Sequence, residues 1–231
     1  LDGPIIDVSE RYYQTYLQAW QTTCGDPSRL PLSKDQFWQL KQERTADTEI
    51  ARLSGIPESF IPQFLNTVAV LVNQPQNLSQ DQLQPGVKWA LALLQDAGVR
   101  LVLVTLRPQA EAEQLLLHYH LRNYFDQVWG STDPDAAYRN NTAQKCSLLE
   151  LAAQHEQIQA QPDPNLLANA WMIGDTEADV VAGQALNVST IALTCGIRSH
   201  NYLAQLNPTR ITRDLVVAVH YLLGLSARVD Y

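Results

Sequence analysis

The chain has 231 residues, 45% of them hydrophobic and 17% charged, and a net charge of −8. This is the composition of a globular protein rather than a disordered one, and its acidity excludes nonspecific nucleic-acid binding, which needs a basic face. No apolar run approaches the ~20 residues that cross a bilayer, no basic and apolar signal start is read, and Cys24, Cys146 and Cys195 lack disulfide-like spacing, so a cytoplasmic protein with reduced thiols and no membrane partner is expected.

Taken in chain order, the first half reads as helical. Ser9 is placed to cap a helix whose apolar face carries Tyr12, Tyr13, Tyr16, Leu17 and Trp20. Ser33 and Gln36 have capping-box spacing ahead of Phe37, Trp38 and Leu40. Phe60, Phe64, Val68, Leu71 and Val72 recur at helical intervals, and no strand is read between Ser9 and Gln84. After Pro85-Gly86 helices and strands alternate. A helix through Val87, Leu91 and Leu94 ends at Gly98, and "RLVLVT" is a continuous apolar run of the kind buried on both faces of a parallel sheet. A helix near 108–119, a strand near 126–129 and a helix near 142–154 follow, then an exposed loop at "QIQAQPDPN". Next come a strand at "AWMIGD", a helix from Glu177, a strand at "STIALT" and a short edge strand at "TRIT". Asp214 opens a last core helix. Such alternation predicts an α/β fold with a doubly wound, mainly parallel sheet. The helical stretch 9–84 forms a small separate domain inserted into a core made of 1–8 and 85–231.

Ligands of an open parallel sheet bind at the carboxyl ends of its strands. There the chain carries Asp2-Gly3, then Thr105, Leu106 and Arg107, then Lys145 near a helix start, then Asp175 and Asp179 in "GDTEAD". Singly these are a helix cap, a surface lysine and first-turn acids. Together they are a hydroxyl, a lysine and three carboxylates at one edge of one sheet. The five histidines, His118, His120, His155, His200 and His220, show no metal-site spacing.

These residues resemble the four ordered motifs of the haloacid dehalogenase superfamily. "LDGPI" is similar to the end of its Asp-x-Asp-Gly-Thr motif, the strand ending in Thr105 to the second motif, Lys145 to the third, and "GDTEAD" to the fourth. "ALLQDAGVRLVLVT" and "NYFDQVWGS" resemble the phosphoglycolate-phosphatase-like members, and the helical insertion resembles their cap. Pro4 departs from the motif's Thr. The resemblance implies a Rossmann-like core and a phosphatase acting on a small phosphorylated metabolite through an aspartyl-phosphate, as a monomer or homodimer.

The resemblance also implies roles. Asp2 is the general acid/base and lends its backbone carbonyl to Mg²⁺; Gly3, Thr105, Leu106, Arg107 and Lys145 hold the phosphate; Asp175 and Asp179 serve the metal. A carboxylate approaching a phosphate at 4 Å meets about 4 kcal/mol of repulsion at an effective dielectric of ~20, which is why a cation and a lysine are required. Oxygen-only donors favour Mg²⁺ over Zn²⁺. The presence of Asp2 disfavours dehalogenase chemistry, since the halide-removing branch lacks this second Asp. Apart from the resemblance, Lys41 and Arg44, three apart on one predicted helical face near Trp38, are candidate cap contacts to an anionic substrate end, the other reading being a solvated basic face. The nucleophile would stand immediately before Leu1, at the end of an upstream apolar strand, and an upstream segment of that kind is expected. The alternatives are a phosphomutase of the same family and, with no nucleophile, an inactive binding protein on the same fold.

Overall fold

The computed structural model describes residues 1–24, 28–159 and 166–225. Strand β1 (Ile6–Asp7) leads directly into helix α1 (Ser9–Thr23). Ser9 is the first residue of that helix rather than its cap, and its amide donates to Asp7 Oδ1 at 2.8 Å. Helix α2 (Lys34–Gln42) starts at the expected capping box, with Ser33 and Gln36 each accepting from the other's backbone amide. Helices α3 (Asp47–Leu53), α4 (Ile61–Leu71) and α5 (Pro75–Leu78) complete this layer. Its own apolar cluster is built on Tyr16, Phe37, Ile50 and Phe64. Tyr16 stacks on Phe37 with ring centroids 4.7 Å apart, and its buried hydroxyl donates to Ser54 Oγ while accepting from the Leu32 amide. A phenol so buried needs both partners.

A strand does occur before Gln84: β2 (Gln82–Leu83) pairs antiparallel with β1, Ile6 opposite Leu83 and Asp7 opposite Gln82. Two residues are too few for a period-2 pattern, so only the pairing reveals it. The chain therefore enters and leaves the helical layer side by side, through one short ribbon.

The remainder alternates as expected. Helix α6 (Val87–Asp96) ends with Gly98 at φ +73°, then β3 (Val102–Pro108), α7 (Gln109–His118), β4 (Gln127–Ser131), the short α8 (Ala136–Arg139) and α9 (Thr142–Gln159). Of the loop expected over 157–165, Gln157–Gln159 instead finish α9, and 160–165 lie outside the described residues. Strand β5 (Trp171–Gly174), α10 (Glu177–Ala185), β6 (Ser189–Leu193), the short α11 (His200–Ala204), β7 (Arg210–Thr212) and α12 (Leu215–Leu222) follow. The Asp214 side chain caps α12 by accepting from the Val217 amide.

All pairing in this part is parallel, β3 with β4 and β5–β6–β7 in that order. The strands stand in two sets rather than one continuous ladder. A cavity of about 590 Å³ runs between β3 and β5, walled by apolar residues including Val102, Val104, Met172 and Ile173. Helices α6 and α12 pack into the main cluster with Ile6, Leu103, Leu116 and Ile191. No helix among the described residues is long and apolar enough to cross a membrane.

Candidate active site

Regular β3–β4 pairing runs to Val104 opposite Trp129 and resumes only at Pro108 opposite Ser131. This break frees Thr105, Leu106 and Arg107 from the ladder at its carboxyl end. Strand β5 ends one residue before Asp175. A turn at Gly3, at φ +89°, brings Asp2 to the same edge, with the Gly3 amide donating to Ile6 O at 2.8 Å. Asp2, Thr105, Leu106, Arg107, Lys145, Asp175 and Asp179 all line the one cavity. Residues spread over most of the chain are thus brought to one place.

Asp175 is 2% exposed, and its Oδ2 accepts from the Ile197 amide at 2.6 Å. A Cβ added to Gly3 or to Gly196 would collide with this carboxylate, so two glycines make its seat. No lysine or arginine is paired with it among the described residues. Burial first, and the neighbouring Asp179 second, raise its pKa above the ordinary carboxylate value. Asp179 is the compensated partner. Its Oδ2 accepts from the amides of Asp175 and Thr176 and from the Thr176 hydroxyl, and its Oδ1 lies 2.8 Å from Lys145 Nζ. Burial alone would raise its pKa; Lys145 outweighs that and holds it low. Gly174 leaves the room that the Asp179 carboxyl fills. Lys145 also donates to Val104 O at 2.7 Å, which ties α9 to β3. The Thr105 hydroxyl accepts from the Arg107 amide at 3.1 Å.

Asp2 faces two guanidinium groups. Its Oδ1 accepts from Arg107 Nε and Nη2 at 3.1 and 2.8 Å, and its Oδ2 from Arg11 Nη2 at 3.2 Å. Burial works against the charge, but Arg107 and then Arg11 hold the carboxyl well below the usual range. Among the described residues no three His, Cys, Asp or Glu side chains form a metal-holding group. A hard cation would still find an oxygen donor here, because the Asp175 carboxylate has no lysine or arginine partner among the described residues and lies against the Gly3 backbone.

Trp38, Lys41 and Arg44 do not line this cavity. Trp38 packs on both apolar clusters and meets Tyr12 edge-on. Lys41 Nζ pairs with Asp47 at 2.8 Å, and Tyr138 of α8 donates to the other Asp47 oxygen. Arg44 pairs with Glu177 at 2.7 Å, within the fourth motif.

Sequence reasoning passed over Arg11, Asp81, Glu177 and Arg198. Arg198, 4% exposed, binds both Glu177 oxygens and donates to Lys41 O. Its signal was available, since "CGIRSH" follows the carboxyl end of β6, where Gly196 also lies. Arg11 and Asp81 carry no local mark.

The family model for haloacid dehalogenase-like hydrolases matches residues 1–193. A phosphoglycolate phosphatase of Psychrobacter arcticus is 32% identical over 144 residues, covering 60% of this chain and 55% of that protein. The chain spans about half the length of the curated relatives it matches. Among solved structures, a predicted phosphatase from Clostridium acetobutylicum superposes with a TM-score of 0.67 at 19% identity, over 97% of this chain and 96% of that one. A haloacid dehalogenase-like hydrolase from Streptococcus pneumoniae does so at 0.67 and 19%, over 96% and 94%.

Proposed function

This chain belongs to the haloacid dehalogenase-like hydrolases, and we propose that it is a phosphatase releasing phosphate from a small phosphorylated metabolite. The observation that carries the reading is the gathering of Asp2, Thr105, Arg107, Lys145, Asp175 and Asp179 around one cavity at the carboxyl ends of β3 and β5.

In this reading a bound Mg²⁺ supplies charge neutralisation between the carboxylates and the phosphate. Asp175 and the Asp2 carbonyl hold it, and Asp179 orients its surroundings. An aspartate immediately before Leu1 attacks phosphorus; its O–P bond forms as the ester P–O bond breaks, and Asp2, once an oxygen has left its guanidinium partners and taken up a proton from solvent, gives that proton to the departing alcohol. Water then attacks phosphorus and gives its proton to Asp2, while the aspartyl O–P bond breaks, releasing phosphate and restoring the nucleophile's carboxylate. Gly3, Thr105, Leu106, Arg107 and Lys145 receive the phosphate oxygens. Residues 9–84 act as a cap joined to the core of 1–8 and 85–231 through the β1–β2 ribbon. For Trp38, Lys41 or Arg44 to touch substrate, the pairs to Asp47 and Glu177 must exchange as the cap moves.

The test is phosphate release by the full-length protein with Mg²⁺ and without it, from an aryl phosphate and a panel of phosphometabolites. Phosphoglycolate comes first because the P. arcticus relative is named for it. Metal-dependent release is expected. Isomerised sugar phosphate without release would make the protein a mutase, and no turnover of any phosphomonoester would overturn the reading.

A further inference from the structure

Four buried charges close into a ring at the β1–β2 ribbon. Asp2 pairs with Arg107 and with Arg11; Asp81 Oδ2 accepts from Arg107 Nη2 at 2.9 Å, and its Oδ1 lies 2.9 Å from Arg11 Nε, a charge contact out of line for a hydrogen bond. Signs alternate around it, so each acid sits between two bases and each base between two acids. The side chains of Arg11, Asp81 and Arg107 are 3%, 1% and 4% exposed, and that of Asp2 is 17% exposed, so the ring meets solvent chiefly at Asp2. Asp81 is further anchored through its carbonyl, which accepts from the Tyr119 hydroxyl at 2.6 Å.

Its distribution along the chain is informative. Asp2 and Arg107 belong to the β-sheet side of the ribbon. Arg11 lies in the first turn of α1, and Asp81 immediately precedes β2, both on the helical side. Of the four pairs, Asp2–Arg107 and Arg11–Asp81 each stay on one side, while Asp2–Arg11 and Arg107–Asp81 cross. Arg107 reaches Asp2 with two donors, and the same Nη2 is held from behind by Asp81. Both Asp2 oxygens are therefore aimed by guanidinium groups whose own places depend on Asp81. Burying four charges is tolerated only if every partner is present, and a site gains when such a shell fixes its reacting group before substrate arrives.

We infer that Arg11 and Asp81 are positioning residues for this site, fixing the orientation of Asp2 and Arg107 across the ribbon that joins the two layers. The inference rests on the phosphatase reading, and it assigns neither residue a contact with substrate.

The experiment compares Asp81→Asn, Asp81→Glu, Arg11→Gln and Arg11→Lys with the full-length wild type, using an aryl phosphate. Asp81→Asn and Arg11→Gln are expected to lower kcat at least tenfold with KM changed less than twofold. Arg11→Lys, which keeps the charge but loses the fork, is expected to recover kcat to within about threefold of wild type. Asp81→Glu, which keeps the charge and so the fold but moves the carboxylate by one methylene, is expected to cost about fivefold. Exchanging the pair, Arg11→Asp with Asp81→Arg, keeps their mutual attraction but sets like charges against Asp2 and Arg107. It should be worse than either single variant, and recovery there would mean that the pairs crossing to Asp2 and Arg107 are not what matters. Wild-type kcat in Asp81→Asn or Asp81→Glu, or recovery in the exchange, would overturn the inference.

A second measurement is independent of turnover. The Arg107 Nε–H NMR signal should be protected from solvent exchange in the wild type and should shift and lose protection in Asp81→Glu. An unchanged signal also overturns the inference. A wild type inactive toward every phosphomonoester, with the Arg107 signal responding as described, would instead overturn the phosphatase reading and leave the ring's positioning role standing.

Discussion

The carboxylate of Asp175 occupies the space that a Cβ on Gly196 would fill. Gly196 has no left-handed backbone to maintain, so its lack of a side chain serves the neighbour and not the turn. Gly196→Ala is therefore expected to displace Asp175 and to weaken divalent-cation binding at least tenfold by calorimetry. Gly98→Ala is the control. It sits at φ +73° with open space around it, and should cost about 1 kcal/mol of backbone strain while leaving cation affinity unchanged. Equal cation affinity in Gly196→Ala and wild type would show that the seat does not matter.

Asp175 also sets a pH dependence. Its pKa in the folded state is raised, so between the ordinary value of 3.8 and about 7 the folded chain holds a proton that the unfolded chain has released. Stability must then fall as pH rises through that window, by at most about 1.4 kcal/mol per pH unit. Asp175→Asn lacks this slope. With chelator present, its thermal midpoint should gain on the wild type from pH 4.5 to 7.5, and Mg²⁺ should raise the wild type's midpoint and not the variant's. Turnover and its Mg²⁺ dependence should fall together in the variant. Parallel pH curves for the two proteins would count against a buried, uncompensated Asp175.

Much of this arrangement was legible in the chain because it lies in local patterns. The apolar runs ending in Thr105 and Asp175 mark buried strands, and the strand-end rule then points to Arg107 and Asp179 without further information. What escaped is carried by distant partners. Nothing near Arg11 or Asp81 in the sequence signals that α1 and the approach to β2 lie side by side, because β1 and β2 are two residues each and show no alternation. Lys41 and Arg44 have the spacing of one helical face with Trp38, which suggests a substrate surface, but α2 ends at Gln42, Arg44 stands beyond it at φ +62°, and spacing does not reveal that Asp47 and Glu177 stand opposite the two cations. Capping residues were legible where side chain and amide are three apart, as at Ser33 and Asp214, and misplaced at Ser9, where the bond comes from Asp7.

Glu177 receives two arginines in unequal settings. Arg198 is 5% exposed in its side chain and binds both oxygens, whereas Arg44 is 47% exposed and holds one. A pair of the second kind is worth about 0–1 kcal/mol. Removing the buried partner also breaks the bond to Lys41 O and leaves a mostly buried carboxylate half-compensated, for a loss of about 1–3 kcal/mol. Urea unfolding of Arg198→Gln and Arg44→Gln should rank them in that order. Equal losses would mean that burial does not distinguish the two.

Lys145 stands between two obligations, the Val104 carbonyl and the Asp179 carboxylate. Lys145→Met keeps the length of the side chain but removes the charge, leaving Asp179 and Asp175 as two buried acids without a lysine. A loss of about 3–5 kcal/mol is expected, since breaking a buried pair exposes the full cost of the remaining charge. Adding Asp179→Asn in the same chain should recover part of that loss, because the uncompensated charge is then gone. Turnover should not return with stability: the double variant still lacks the cation proposed to face the phosphate, and kcat should stay at least a hundredfold below wild type. If the double variant is less stable than Lys145→Met alone, the 2.8 Å contact is not the source of the loss, and Lys145 acts mainly through Val104.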